Sequence, residues 1–198
     1  MEIKRATVED IDGIVDIHCD AFKGFFLTSL GRDFLKFYYS CFVESADTVS
    51  MCAFDDGKLL GFSAATKVCK GFNSKLIKEN FLDFCSLSFK LLFTNPSSLI
   101  RLVKNITKKS DSVDDEEDYA ELYSIGVSKY AQGKGIGKQL LFETERVMKD
   151  EGVQRISLTT DYYNNDATVG FYHSMGYKVL YEFTAYPNRK MYRFIKTI

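Results

Sequence analysis

Residues 132–137 read "QGKGIG", so three glycines fall within five positions, between a β-rich run and an amphipathic one. No other stretch limits the fold as tightly. The preceding "ELYSIGV" has strand character. The following "GKQLLFETERVMKDEG" puts Leu140, Leu141, Thr144, Val147 and Met148 on one helical side, with Gly152 placed to end the helix. The chain must therefore pass from strand to helix where it has almost no side chains. A helix start leaves backbone N–H groups unpaired and carries about half a positive charge. Glycine removes the Cβ and permits positive φ, so several of those donors can converge on one anion. With Lys134 and Lys138 beside it, the stretch reads as a diphosphate cradle. A tight strand-to-helix turn that binds nothing is the alternative.

Two common phosphate motifs fit poorly. The dinucleotide fingerprint spaces its glycines G-x-G-x-x-G near the start of a parallel unit, whereas these stand at 133, 135 and 137. The Lys-Ser/Thr pair of a Walker loop is also missing.

The rest of the chain predicts an α/β protein. "EIKRA" alternates like a strand, and Ile11, Ile14, Val15 and Ile17 then fall at helical spacing behind a Thr7 cap with Asp10 three places on. A second helix carries Phe34, Leu35, Phe37, Tyr38 and Cys41, and both helices should lie on a sheet. Two β-rich runs around Asp55, Asp56 and Gly57 predict a hairpin. Residues 74–109 read as two amphipathic helices broken at Asn95 and Pro96, followed by the acidic run "DSVDDEED", expected as a solvated loop. After the glycine stretch come a strand "VQRISLTTD", a short helix in "NDATVGFYHSMGY", and two strands around a Pro187–Asn188 turn. One domain over 1–198 with a helical insertion at about 71–118 accounts for this order.

"QGKGIG" fits Q/R-x-x-G-x-G/A, and "NNDATVGFYHSMGY", about thirty residues on, fits N-x-x-A-x-x-F-Y-x-x-x-G-F/Y. With "ELYSIGV" ahead of both, the chain resembles the GNAT superfamily of N-acetyltransferases. The resemblance covers the N-terminal strand and helices, the hairpin and everything after residue 118. It implies the GNAT fold, a mixed and mostly antiparallel sheet that splays between strands 4 and 5, flanked by helices. It further implies acetyl-coenzyme A as co-substrate. Gln132, Gly133, Lys134, Gly135, Ile136, Gly137 and Lys138 would hold the pyrophosphate. The backbone edges of Ile125 and Val127 would pair with the pantetheine arm, and Asn165 would hydrogen-bond it from the other side.

Acetyl transfer needs a neutral amine, a polarised thioester carbonyl and a proton for the leaving thiolate. By the same resemblance Tyr172 falls on the tyrosine that protonates the sulfur, and Glu121 on the strand-four glutamate that acts as base in the histone acetyltransferase branch. Under the period-two rule Glu121 shares a strand face with Tyr123, Ile125 and Val127. Glu121 also reads as a strand-edge charge, and Thr160, Asp161 or a water chain are other routes for the proton. In this family the acceptor is chosen by the first two helices, strand four and the last hairpin. Those regions hold Phe22, Phe25, Phe26, Tyr123, Tyr186 and Arg189. Ordinary core is the other reading of the phenylalanines.

"GFFLTSLG" with "FLKFYY" resembles an uncharacterised GNAT subgroup often associated with bacterial surface-polysaccharide genes, which implies an amino sugar or sugar nucleotide as acceptor. A protein or peptide amine, or coenzyme binding without turnover, are the alternatives. The formal charge of −1 gives no reason to expect nucleic acid. Five scattered cysteines without close pairs predict reduced core residues, and His18 and His173 read as packing or surface residues, so no metal is expected. The polar N-terminus carries no apolar run, which makes the cytoplasm the expected compartment. "FLDFCSLSFKLLF" in the insertion is too short to span a bilayer, yet its apolar surface needs a lid role, a homodimer contact or a membrane surface.

Overall fold

A computed structural model describes residues 1–107 and 115–198. In chain order the strands are β1 (Glu2–Arg5), β2 (Thr48–Asp55), β3 (Lys58–Thr66), β4 (Ala120–Val127), β5 (Arg155–Asp161), β6 (Lys178–Ala185) and β7 (Arg189–Thr197). The helices are α1 (Ile11–Ala21), α2 (Phe26–Ser29), α3 (Arg32–Glu44), α4 (Phe72–Glu79), α5 (Phe81–Thr94), α6 (Pro96–Thr107), α7 (Ile136–Asp150) and α8 (Asp166–Ser174). The strands form one sheet in the order β1-β2-β3-β4-β5-β7-β6. Every neighbouring pair is antiparallel except β4 with β5.

Each face of the sheet buries its own core. On one side α7 lays Leu140, Leu141 and Met148 against Val49, Ala65, Leu122, Ile156 and Leu158. On the other, Ile14, Val15, Leu35, Tyr39 and Phe42 from α1 and α3 pack on Cys52, Phe62 and Ala64. The expected hairpin is present, with β2 and β3 closing through Asp55↔Lys58 around Asp56 and Gly57, both at positive φ. Thr7 and Asp10 form the predicted box, the Asp10 carboxylate accepting the Thr7 N–H at 2.8 Å, although it caps a short 3-10 turn ahead of α1.

The insertion departs from its sequence pattern. It holds three helices rather than two, because the chain breaks at Asn80 as well as at Asn95. Asn80 donates its amide to Leu76 O at 3.0 Å, closing α4 from the side chain and freeing α5 to start at Phe81. The acidic run is not simply solvated. Residues 111–114 lie outside the described residues, but Asp115 is half-buried and accepts hydrogen bonds from Tyr119 and, at 2.9 Å, from Tyr181 on β6. All five cysteines are free, yet Cys85 is exposed rather than core.

Candidate active site

The glycine stretch is open outward and tight inward. Gly133 and Gly135 both have φ of 77°, the left-handed region, and a Cβ on either would meet nothing within 4 Å. Gly135 caps α7, so the N–H groups of the first helical turn have no partner inside the helix. Gln132, Lys134 and Lys138 are exposed around them, while Ile136 is buried and anchors the turn. A side chain at Gly137 would press on Val127 at 3.7 Å and Phe171 at 3.9 Å. The helix start is therefore packed closely onto β4 and α8, with its unpaired donors facing out.

Beside this loop the sheet parts. The parallel pair β4–β5 is in register from Ala120↔Ile156 to Leu122↔Leu158, and β4 runs on to Val127 while β5 runs on to Asp161. At that point β4 carries a bulge: Ala65 faces Leu122 and Ala64 faces Ser124, so Tyr123 is the extra residue. The bulge overturns the period-two expectation. Ile125 and Val127 lie with the α7 core, whereas Tyr123 packs on the α1–α3 side between Phe42 and Phe72, each ring 5.4 Å away. Glu121 and Tyr123 thus do not share a face with Ile125 and Val127.

On the α7 side, α8 closes the gap. Asn165 donates its side-chain amide to Thr160 Oγ1 at 2.7 Å and to Asp161 O at 3.0 Å, bracing the β5–α8 turn. Tyr172 is buried against Phe171, Tyr177 and Phe194. Burial pushes its phenol pKa up, so it is protonated at neutral pH.

The opposite side is built from charged and hydroxyl side chains. Glu121 is buried, accepts from Arg193 Nη1 at 3.1 Å and from the Cys69 thiol at 2.9 Å. Arg193 also donates to Ser157 Oγ at 3.0 Å and lies over the rings of Tyr119 and Tyr181. Nearer the rim, Arg189 forms a two-pronged pair with Asp161 and stands 5.1 Å over Phe25. The segment after α1 and the last hairpin therefore meet at Phe25 and Arg189. Phe26 turns away, into the cluster with Leu91 and Leu102 and under Arg101.

A buried hydrogen-bonded chain crosses the same side. Thr28 gives its one hydroxyl proton to Phe22 O at 2.6 Å, so it can only accept from His18 Nε2 at 3.2 Å. His18 Nδ1 is then the acceptor for the Tyr39 hydroxyl at 2.6 Å. One neutral imidazole fixes the direction of every proton. Burial holds the His18 pKa down at about 4, consistent with that state.

Sequence reasoning missed Arg193, Cys69, Tyr39 and the buried role of His18. His173 is exposed, with Nδ1 3.1 Å from Tyr177 O. Among the described residues there is no group of three or more His, Cys, Asp or Glu placed to hold a metal. A cavity of about 580 Å³ lies on the outer side of α7, lined by Met1, Ile3, Gln139, Phe142 and Met175, and touches the glycine stretch only through Lys138.

A family model described as Acetyltransferase (GNAT) family matches residues 11–177. No curated protein matches by sequence. Among solved structures, the ribosomal-protein-alanine N-acetyltransferase from Brucella melitensis superposes with a TM-score of 0.64 at 14% identity, covering 100% of both chains. A GNAT-family acetyltransferase described as putative, from Desulfovibrio desulfuricans, gives 0.65 at 13% identity over 99% of this chain and 98% of its own. The PaiA N-acetyltransferase from Thermoplasma acidophilum, solved in complex with coenzyme A, gives 0.60 at 17% identity over 100% and 98%. These likenesses concern the fold.

Proposed function

The chain belongs to the acetyltransferase (GNAT) family, and from that premise we propose that it moves an acetyl group from acetyl-coenzyme A to the primary amine of a small molecule, by direct transfer in a ternary complex. One observation carries the reading. The sheet parts beyond Leu122 and Leu158 directly beside a helix start whose left-handed glycines face open space.

The cradle of 132–138 offers unpaired N–H groups and two lysines to the pyrophosphate, the commonest use of such a helix start. Beyond the bulge, the separated edges of Ile125 and Val127 have backbone groups to give the amides of the pantetheine arm. Asn165 is braced by its own amide, which leaves its carbonyl oxygen as the group to meet the coenzyme. Tyr172 is the acid: its phenol is protonated at neutral pH and can hand its proton to the departing thiolate, with burial making it a weaker acid until the coenzyme thiolate is beside it.

Glu121 is a poorer base than its position implies. Taking up a proton would break its pairing with Arg193, a cost for a buried pair that a water-mediated route avoids. We assign it to holding Arg193 and the floor of the acceptor side, and leave proton removal to solvent. A small acceptor suits the rim, since Arg189 reaches Phe25 and Lys104 of α6 reaches Tyr186, two contacts that bridge the hairpin to the helices and narrow the opening. Within that class an amino sugar or sugar nucleotide is the first to try.

The test is an amine panel, with amino sugars, polyamines, amino acids and peptides, read by free-thiol release. Thermal stabilisation by acetyl-coenzyme A together with thiol release on a small amine is the expected result. Stabilisation with no release on any amine would make the chain a binding module, and no stabilisation at all would remove the coenzyme site.

A further inference from the structure

Two arginines stand on the acceptor face of β7, and they differ in one respect. Arg189 closes both prongs of its guanidinium edge, Nε and Nη2, on the two oxygens of Asp161. Arg193 makes both of its hydrogen bonds from Nη1, to Glu121 Oε1 at 3.1 Å and to Ser157 Oγ at 3.0 Å. Its Nε is buried and has no partner among the described residues. The whole residue is only 9% exposed, so bulk water does not make up the deficit. Buried donors are nearly always paired, and a guanidinium proton without an acceptor is destabilising in a low dielectric. The edge that Arg189 fills is therefore the edge that Arg193 holds open.

Covalent geometry gives the direction of the missing acceptor. In a guanidinium the edge between Nε and Nη2 faces directly away from Nη1. Nη1 is turned to Glu121 and Ser157, so the open edge faces away from both, beside the rings of Tyr119 and Tyr181 at 5.6 and 6.0 Å from Cζ. Glu121 and Ser157 are paired one register step before Leu122 and Leu158, where the sheet parts. The orphan donor thus lies at the apex of the parted strands, on the acceptor side.

Charge decides which oxygen fits. Glu121 already offsets the cation, and Asp115, which accepts from both Tyr119 and Tyr181, sets a second carboxylate in the same network. The Cys69 thiol is kept neutral by burial and by Glu121, so it adds no positive charge. With one cation against two carboxylates, a third negative group on this edge would be repelled. An uncharged oxygen satisfies Nε without that penalty, and the surplus negative charge suits the ammonium form in which an amine arrives. A sugar hydroxyl meets these conditions within the narrow rim between Phe25 and Arg189.

We propose that Arg193 selects the acceptor, its Nε–H donating to an uncharged hydroxyl oxygen of an amino sugar. This rests on the acetyl-transfer reading above and sharpens it: neutral amino sugars are taken, and amines that carry a carboxylate at that position are refused.

The test follows the Arg193 Nε–H signal by NMR in protein labelled with ¹⁵Nε-arginine, identified through its contacts with the rings of Tyr119 and Tyr181. With coenzyme A present, glucosamine and galactosamine should shift the signal, whereas glucosaminuronic acid and alanine should leave it in place. In kinetics, Arg193→Lys keeps a cation for Glu121 but loses Nε–H, so the amino-sugar KM should rise about tenfold while the KM for acetyl-coenzyme A stays as it was. A purely structural Arg193 would give no such split. The NMR arm uses the wild type and stands even if the lysine variant fails to fold. Thiol release from an amino sugar with an unmoved signal overturns the assignment and leaves acetyl transfer standing. Carboxylates that shift the signal as strongly as the sugars do overturn the choice of a neutral oxygen. A shift with the sugars and no thiol release from any amine keeps the sugar contact and removes acetyl transfer, and neither shift nor release removes both.

Discussion

The two sides of the parted sheet are made from different materials. Toward α7, the site consists mostly of backbone: left-handed glycines, a helix start and two strand edges, with the buried Tyr172 phenol among its few side chains. Toward α1 and α3, it consists of side chains from many elements: Glu121 on β4, Ser157 on β5, Arg193 on β7, Cys69 after β3, and the Tyr39–His18–Thr28 chain. A surface of backbone donors can bind any ligand with the same phosphates and amides. A surface of interlocked charges and hydroxyls has a shape that depends on every member. On the function proposed above, the coenzyme side is accordingly generic, and the acceptor side is where this chain is particular.

The largest effect should come from Tyr172, the proposed acid on the generic side. Tyr172→Phe keeps the ring contacts with Tyr177 and Phe194 and removes only the proton donor, so kcat should fall about 10²- to 10⁴-fold with little change in coenzyme affinity. Steady-state kinetics beside a coenzyme titration separates the two. Unchanged kcat would take Tyr172 out of the acid role and leave the α7 side purely a binding surface.

On the acceptor side the corresponding loss should appear first as stability. Arg193→Met strands the buried Glu121 carboxylate, which costs about 3–5 kcal/mol, and Glu121→Gln in the same chain should recover much of it because the uncompensated charge is gone. Urea unfolding of the wild type and the two variants measures this. If Arg193→Met leaves stability intact and abolishes turnover, the contrast between the sides fails, and Arg193 belongs to the chemistry.

The same contrast explains what could be read from sequence. A positive-φ turn into a helix needs glycine, so Gly133 and Gly135 announce their conformation wherever they stand. The order of the strands followed likewise from local periodicity, and so did α1, α3, α7 and α8. The bulge at Tyr123 did not, because an extra residue in a strand depends on the partner strand, and it moved Ile125 and Val127 to the other face from Glu121. Arg193 in "MYRFIKTI" has the look of an exposed strand cation, and only the meeting of β4, β5 and β7 makes it the partner of Glu121. Asp115, in an acidic run, is likewise given its role by two tyrosines, one of them 66 residues away.

A smaller prediction concerns acid, and it separates the two sides without any ligand. The His18 pKa stands at about 4 in the folded chain against an ordinary value near 6.5, so between those values the unfolded chain binds a proton that the folded one refuses. Stability from this residue is complete above about pH 6.5 and is lost as the pH falls toward 4, by about 2–3 kcal/mol. The physical reason is directional: protonation adds an N–H at Nδ1, where Tyr39 already donates, and Thr28 cannot reverse while its proton is held by Phe22 O. His18→Asn places an oxygen acceptor toward Tyr39 and cannot titrate, at the expense of the Thr28 contact. At neutral pH the variant should be less stable than the wild type by about 1 kcal/mol, and near pH 4.5 the order should reverse. Thermal unfolding across that range reads the crossing. A constant gap would mean that the imidazole is not held neutral, and the proton directions assigned from Thr28 to Tyr39 would fall with it.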